Sequence, residues 1–306
     1  MQNEVIKNVQ PTIKEHSVLE QIKYLIKAPV LIANVVPVLT GFLLALFFSG
    51  ATFAGHLGLL LLTLIGSTLV IAGALVINNW YDVDIDTVMG RTKKRPTVTG
   101  DISLKTVLTI GIVLSGVGFI IMFFTTLEAT LYSFIGWFTY VFLYTMWSKR
   151  RYTWNTIIGS VSGAVTPLIG WAALEPAFSH IVPLVLFMII FIWQMPHTYS
   201  IAMRKYDEYK AAGVKMLPVV KGFRVTKIHF LFYVICLFPL PFFLMSLGMV
   251  FVITATILNI AWLILCIQGF MTKNNHRWAT NSFFYSVNYL MILFVLMIVV
   301  TFPIFQ

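Results

Sequence analysis

Long apolar segments separated by short polar connections run along most of this chain. A helix of about 20 apolar residues spans the hydrocarbon core of a bilayer. Backbone groups in lipid have to satisfy their own hydrogen bonds, so segments this long and continuous predict membrane helices rather than barrel strands. The pattern therefore predicts an all-α integral membrane protein with nine transmembrane helices, at residues 29–49, 57–79, 106–125, 129–147, 155–174, 181–200, 228–247, 249–270 and 282–302.

Composition supports a membrane protein and excludes several other classes. Of the 306 residues, 59% are hydrophobic and 10% are charged, whereas soluble domains have about a quarter charged residues. A water-soluble globule and a disordered chain are therefore excluded. The only cysteines, Cys236 and Cys266, lie inside apolar segments, which favours small buried side chains over a disulfide framework.

The basic residues are distributed on one side of the predicted helices. All 21 Lys and Arg residues lie in the N-terminal tail or in the even-numbered connections. Cytoplasmic loops are enriched in Lys and Arg, so the N-terminus is predicted inside the cell and the C-terminus outside. The distribution of the basic residues, rather than the net charge of +10, thus indicates orientation in the cell membrane, and no nucleic-acid partner is expected.

The predicted organisation is a polar cytoplasmic tail followed by one multi-pass membrane domain. Residues 1–27 are polar and show no signal-peptide pattern, and residues 28–306 form the transmembrane domain. Its two long loops, 80–105 and 201–227, follow even-numbered helices and lie on the cytoplasmic side. Their spacing of four helices predicts a duplicated four-helix unit, although no residue-level repeat accompanies it.

Polar side chains with helical spacing lie at the end of the second segment. Asn78, Asp82 and Asp86 share one face if the helix continues, and Asp84 points away from that face. Amide and carboxylate oxygens suit Mg²⁺, which binds through one or two carboxylates plus substrate phosphates. The basic stretch 91–96 (RTKKRP) suits the charge of a polyphosphate. The spacing predicts a phosphate and Mg²⁺ site, with an ordinary solvated helix end as the alternative.

The second long loop carries charged residues on the same side of the membrane. Arg204, Asp207 and Glu208 lie in its first part. By itself this pattern is typical of any cytoplasmic loop. Together with the first loop it predicts the opposite wall of one substrate site.

Two polar residues, Gln194 and His197, lie three positions apart and are predicted on one face at the end of the sixth segment, next to Pro196. Polar side chains inside a span usually face the bundle or a cavity. Two interpretations of His197 remain open. It is either a hydrogen-bonded bundle histidine, or a substrate contact that acts as an axial iron ligand or a proton carrier.

The motif Asn78-xxx-Asp82-xxx-Asp86, followed by stretch 91–96, resembles the first signature of the UbiA superfamily of intramembrane prenyltransferases. The stretches 148–150, 155–171, 193–197 and 209–219 resemble the branch of that superfamily that farnesylates haem b. The resemblance covers roughly residues 25–300. It implies a nine-helix bundle around a central cavity, capped by cytoplasmic loops. It also implies transfer of a farnesyl group from farnesyl diphosphate to a vinyl group of haem b, with addition of water, to give haem O.

The resemblance also implies roles for particular residues. Asn78, Asp82 and Asp86 would hold Mg²⁺ on the diphosphate, and haem b would be a substrate contacted from the sixth segment and second loop. The implied basic clamp on the diphosphate consists of Arg91, Lys94, Arg95, Lys149 and Arg150. A downstream haem A synthase is a candidate partner.

The sequence departs from the family pattern in two places. Many relatives carry a second acidic motif, but here Ala211 and Ala212 stand four residues after Asp207 and Glu208. Lys215 occupies a position where proline is expected in the haem-farnesylating branch. Aromatic residues are the expected stabilisers of a farnesyl cation, and the candidates are Trp80, Tyr81, Trp193 and Tyr199.

Three other functions are considered. A secondary transporter would place ionisable residues near the bilayer midplane, but no acidic residue here lies deep in any apolar segment. A non-catalytic haem chaperone would explain His197 but not the acidic and basic residues around a phosphate site. A prenyltransferase acting on a quinone or chlorophyll precursor is the nearest alternative.

Overall fold

The computed structural model describes residues 17–302, which form helices and no strand. Residues 1–16 of the predicted tail, and residues 303–306, lie outside the described range. The α-helices in chain order are α1 (Val18–Leu25), α2 (Ala28–Ser49), α3 (Phe53–Tyr81), α4 (Val83–Val88), α5 (Pro96–Thr99), α6 (Leu104–Met122), α7 (Leu127–Phe138), α8 (Asn155–Ala164), α9 (Thr166–Ala172), α10 (Ile181–Arg204), α11 (Tyr206–Ala211), α12 (Leu217–Cys236), α13 (Met249–Met271) and α14 (Asn275–Val299).

Seven helical segments between residues 17 and 302 are long and apolar enough to cross a bilayer. They are α2, α3, α6, α10, α13, α14 and the segment from α12 to Leu247, which ends in a 3₁₀ helix. The predicted segments 129–147 and 155–174 are also helical, but they are interrupted. A π-helix, Thr139–Ser148, follows α7, and α8 is separated from α9 by Val165. Both interruptions lie beside the interior cavity described below.

Small residues allow the helices to approach closely. A Cβ atom added at Gly73 of α3 would lie 2.2 Å from the Ser115 hydroxyl oxygen on α6. A Cβ at Gly170 of α9 would lie 1.8 Å from the Val38 carbonyl oxygen on α2. Lipid tails are as apolar as leucine, so membrane helices associate through this close packing rather than through hydrophobic burial. These glycines therefore bring the inner helices together around the interior of the bundle.

The two long loops fold into short helices and contact each other at one end of the bundle. The first loop contains α4 and α5, and the second contains α11. Ile85 and Met89 of the first loop form a buried cluster with Ala202, Val214 and Met216. The two loops thus lie together at the same end of the bundle.

Candidate active site

Asn78, Asp82 and Asp86 lie buried on one face where α3 passes into α4. Asp82 lies between the two helices, yet the backbone N–H groups of Asp82 and Asp86 each donate to the carbonyl four residues earlier, at 2.9 Å. The helical register therefore continues across the junction. The three side chains are buried, while the Asp84 side chain is 60% exposed. The predicted common face, with Asp84 pointing away, agrees with this geometry.

Basic residues from two other parts of the chain neutralise these carboxylates. Lys149, which follows the π-helix, pairs with Asp82, and Arg95 at the start of α5 pairs with Asp86. Lys149 and Arg95 both belong to the predicted basic clamp. The carboxylates are therefore already surrounded by groups that bind phosphate oxygens well.

Arg150 connects the buried and exposed acids. Its guanidinium donates to both Asp84 carboxylate oxygens, at 2.5 and 2.7 Å, and this hydrogen bonding holds the pKa of Asp84 below its ordinary value. The Nη2 atom lies 3.7 Å from Asp82 Oδ1. Arg150 therefore reaches the rim of the buried acidic face.

The other predicted clamp residues, Arg91 and Lys94, are exposed in the first loop. The backbone between them is held inward at Thr92, whose hydroxyl donates to the Asp86 carbonyl at 3.0 Å. Arg91 lies close enough to the partly buried Tyr209 of α11 for its charge to oppose the effect of burial, which raises the pKa of Tyr209. Arg91 thus lies where the two long loops meet, and Lys94 lies further towards solvent.

Two residues that the sequence analysis missed complete the surroundings of Asn78. The Lys27 ammonium donates to Asn78 Oδ1, and Asn78 Nδ2 donates to Thr145 Oγ1 at 2.9 Å. Lys27 adopts a left-handed backbone conformation (φ 50°) between α1 and α2, and burial lowers its pKa well below the ordinary value. Strained non-glycine residues of this kind cluster at functional sites. The available signal was a lysine directly before the first apolar segment.

An interior cavity of about 200 Å³ lies among α2, α3, α7, the π-helix, α8 and α10. Tyr144 of its lining is next to the acidic face, since the Lys149 ammonium lies 5.9 Å from the ring centroid of Tyr144. Other lining aromatics are Trp137 and Tyr140. The lining also contains serine, threonine and amide side chains, at Asn34, Ser67, Ser133, Thr156, Ser160, Ser162, Thr166, Gln194 and Thr198.

The four aromatic residues predicted to stabilise a farnesyl cation lie away from this cavity. Trp193 Nε1 donates to the Ser286 carbonyl at 2.8 Å on α14, and the Tyr199 ring packs beside Tyr233 on α12. The Tyr81 hydroxyl donates to the Met146 carbonyl of the π-helix at 3.4 Å, and Trp80 packs in apolar clusters between helices. None of these four residues lines the described cavity.

Gln194 and His197 project to different sides of α10. Gln194 lines the cavity, and its Nε2 atom donates to the Ser160 and Ile190 carbonyl oxygens, at 2.9 and 3.2 Å. The His197 ring instead stacks on Trp193, with centroids 4.5 Å apart, and its Nδ1 lies 2.8 Å from the Ser286 hydroxyl. These contacts turn His197 towards α14 rather than into the cavity.

The three predicted residues of the second loop also face different parts of the structure. The Arg204 guanidinium lies over the Phe283 ring of α14, 4.5 Å from its centroid, and Arg204 and Asp207 line a separate cavity of about 460 Å³. Glu208 accepts a hydrogen bond from Lys205 at 2.6 Å and lies near Gly90 of the first loop. Only Glu208 of these three faces the first loop.

The residues at the acidic face fit a magnesium ion bound together with phosphate. Asp82 Oδ1 is buried and accepts no hydrogen bond from the described residues. Within residues 17–302, no three His, Cys, Asp or Glu side chains are grouped to hold a metal. Two carboxylates and an amide oxygen leave coordination positions for phosphate oxygens, which is the usual arrangement for Mg²⁺.

Comparison with known sequences identifies close relatives. A model described as the UbiA prenyltransferase family matches residues 34–288. The chain is 53% identical to a protoheme IX farnesyltransferase of Oceanobacillus iheyensis, with 99% of this chain and 98% of the relative covered. It is also 53% identical to protoheme IX farnesyltransferase 2 of Bacillus subtilis, with 94% of each chain covered.

Comparison with solved structures supports the fold. A structure of digeranylgeranylglyceryl phosphate synthase has a TM-score of 0.73 at 20% identity, and the match covers 92% of this chain and 98% of the other. A UbiA homologue from Archaeoglobus fulgidus, bound to DMAPP and Mg²⁺, has a TM-score of 0.66 at 16% identity, with 90% and 99% covered. At these identities the similarity concerns the fold alone.

Proposed function

This chain belongs to the UbiA prenyltransferase family, and we propose that it transfers a farnesyl group from farnesyl diphosphate to a vinyl group of haem b, giving haem O. The observation that carries the proposal is the buried Asn78–Asp82–Asp86 face, paired with basic residues beside the cavity. The names of the relatives at 53% identity support haem b as the acceptor.

The acidic face and its basic partners account for diphosphate binding. Asn78, Asp82 and Asp86 would hold Mg²⁺, which would supply Lewis-acid stabilisation of the departing diphosphate. Lys149 and Arg95 lie at the carboxylates and would turn their donors to the phosphate oxygens. Arg150, Lys27, Arg91 and Lys94 would complete the clamp from the rim. This arrangement stabilises negative charge that develops as the diphosphate leaves.

The cavity accounts for the fate of the farnesyl group. The bond between farnesyl C1 and the diphosphate oxygen breaks, and its electron pair leaves with the diphosphate. The rings of Tyr140 and Tyr144 line the cavity beside the acidic face and would stabilise the allylic cation through their π faces. The terminal vinyl carbon of haem b then forms a bond to C1. Enclosure of the cation prevents its capture by bulk water before this bond forms.

The contacts of haem b are proposed on both sides of α10. Gln194 is available in the cavity, near the reacting vinyl group. Arg204 and Asp207 line the separate cavity at the cytoplasmic end of α10, and Glu208 faces the first loop. The contacts of His197 with Trp193 and Ser286 favour packing against α14 over iron ligation.

We further propose nine membrane crossings in the cell membrane, with the N-terminus and both long loops in the cytoplasm. The seven long apolar helical segments support this topology, and so do the helices at 127–148 and 155–172. The confinement of all 21 basic residues to one side supports the orientation. Haem O made at this site would then be available to a haem A synthase in the same membrane.

The test is product formation in membranes that contain the protein. Haem b, farnesyl diphosphate and Mg²⁺ are added. The extracted pigments are separated, and their molecular masses are measured by mass spectrometry. We expect a porphyrin heavier than haem b by one farnesyl group and one hydroxyl group. Membranes with the Asp82→Asn variant at equal expression are the control. Farnesylation of an aromatic quinone precursor, with haem b unchanged, would replace this function by the nearest alternative.

A further inference from the structure

The lining of the cavity is more polar than a prenyl chain requires. Hydroxyl and amide groups lie among the apolar and aromatic residues, although a farnesyl chain forms no hydrogen bonds. Haem O formation, in contrast, consumes one water. After C1 bonds to the terminal vinyl carbon, the neighbouring carbon next to the pyrrole ring is cationic and has to be captured by water rather than lose a proton. A bound water inside the cavity would decide between these outcomes.

Gln194 is the side chain best placed to hold this water. Both hydrogen bonds of its Nε2 atom go to backbone carbonyls, Ser160 on α8 and Ile190 on α10. The amide plane is therefore held from both helices. Its Oε1 atom receives no hydrogen bond from the part of the chain that the structure describes, and the side chain lines the cavity. The two hydrogen bonds of Nε2 therefore also fix the direction in which the free Oε1 atom points.

Packing on α8 places this amide close to the acidic face. A Cβ atom at Gly163 would lie 2.6 Å from Gln194 Oε1, so glycine is needed for the amide to occupy its position. One turn earlier, a Cβ at Gly159 would lie 2.9 Å from the Tyr144 ring, which borders Lys149. One helical turn rises about 5.4 Å. The amide therefore lies about one turn deeper in the cavity than the ring beside the diphosphate site.

A second polar group is available for the same water. Thr198 lies one turn along α10 from Gln194 and also lines the cavity. Buried waters typically make about three hydrogen bonds to polar groups. Gln194 Oε1 and the Thr198 hydroxyl would supply two of these and leave the water oxygen facing the cavity.

We propose that Gln194 is a catalytic residue that holds and orients the water that hydrates the farnesylated vinyl group. The inference rests on the proposed function and deepens it. The water oxygen forms a bond to the cationic carbon, and one of its protons passes to the released diphosphate. Farnesyl diphosphate, haem b and water thus yield haem O and diphosphate, with no oxidant or reductant consumed. Without the water, the same cation loses a proton and gives an anhydro product, lighter than haem O by one water.

The experiment measures the ratio of haem O to anhydro product in the full-length protein, using haem b, farnesyl diphosphate and ¹⁸O-labelled water. We expect wild-type product to carry the label. Gln194→Leu removes the acceptor and should lower the ratio about tenfold or more, equivalent to about 1.4 kcal/mol or one hydrogen bond. Gly163→Ala displaces the amide and should act in the same direction. Gln194→Glu loses the two hydrogen bonds donated to the Ser160 and Ile190 carbonyl oxygens, so it should also lower the ratio.

Ser67→Ala is the matched control, because it removes a cavity hydroxyl on α3 that donates to the Leu64 carbonyl. An unchanged product ratio in Gln194→Leu, or an equal fall in Ser67→Ala, would overturn the proposal. Another contradicting result is that the Gln194 and Gly163 variants make no farnesylated porphyrin at all while still binding farnesyl diphosphate. That result would also overturn the proposal, because the amide would then be needed for farnesyl transfer, before water is added. If wild-type protein makes no farnesylated haem, the proposed function fails instead.

Discussion

Asn78 Nδ2 donates a hydrogen bond of 2.7 Å to Asp82 Oδ2, across the last turn of α3. The same amide group contacts Thr145 through its nitrogen and Lys27 through its oxygen. Asn78 thereby joins three separate parts of the chain to one carboxylate. A neutral amide can do this because it both donates and accepts, whereas a carboxylate only accepts.

The charge of Asp82 is predicted to be essential for turnover. Asp82→Asn keeps the shape of the side chain but removes the charge that would hold Mg²⁺ and attract Lys149. We expect turnover to fall about 100-fold or more, which corresponds to about 2.7 kcal/mol of transition-state stabilisation. Asp84→Asn is the control, since its exposed pair with Arg150 should cost less than about fivefold. Normal turnover of both Asp82→Asn and Asp86→Asn would contradict the site.

Removal of magnesium is predicted to stop the reaction. The carboxylates of this face repel the negative diphosphate, so they can contribute to its binding only through a cation of high charge between them. A chelator should abolish haem O formation by membranes, and added Mg²⁺ should restore it. Excess Mg²⁺ should also partly rescue Asp82→Asn by mass action. Undiminished turnover in the chelator, measured by pigment mass, would exclude a metal-dependent mechanism.

Lys27 is predicted to contribute to binding of the diphosphate. Lys27→Met removes the ammonium next to Asn78 while keeping a long side chain. We expect the KM for farnesyl diphosphate to rise about tenfold or more, because charge-assisted hydrogen bonds to phosphate are strong. The matched control is Lys23→Met in the last turn of α1, which is exposed. If the two variants had equal kinetics, Lys27 would serve only to form the turn between α1 and α2 and would not bind diphosphate.

His197 is predicted to stabilise the fold rather than ligate haem iron. His197→Ala removes a ring stacked on Trp193 and a hydrogen bond to Ser286. We expect a loss of about 1–3 kcal/mol in stability, seen as a lower Tm. The absorption spectrum of bound haem b should stay the same. A changed spectrum, with unchanged Tm, would support iron ligation instead.

The proposed topology predicts that both long loops are accessible only from the cytoplasm. Lys93→Cys and Lys215→Cys place thiols at exposed positions, whereas the native Cys266 is buried. An impermeant thiol reagent should label neither position in intact cells and both after permeabilisation. The parent protein, treated identically, reports the background from native cysteines. Rapid labelling of either position from outside would contradict the orientation.

The sequence alone determined the features that depend on local periodicity and composition. The membrane class follows from the length of the apolar segments, and seven long apolar helical segments of the described structure coincide with predicted segments. The common face of Asn78, Asp82 and Asp86 also follows from the chain, because a spacing of four repeats the helical turn. Burial of this face, with Asp84 exposed, agrees with that local rule even though α3 ends at Tyr81.

Only the tertiary structure decided which distant residues meet this face and which way each side chain of α10 projects. Lys27 and Thr145 reach Asn78 from positions far away in the chain, so no spacing rule could reveal them. Gln194 and His197 lie three residues apart, yet one lines the cavity and the other contacts α14. Three residues turn a helix by about 300°, and only the placement of neighbouring helices determines what each direction meets.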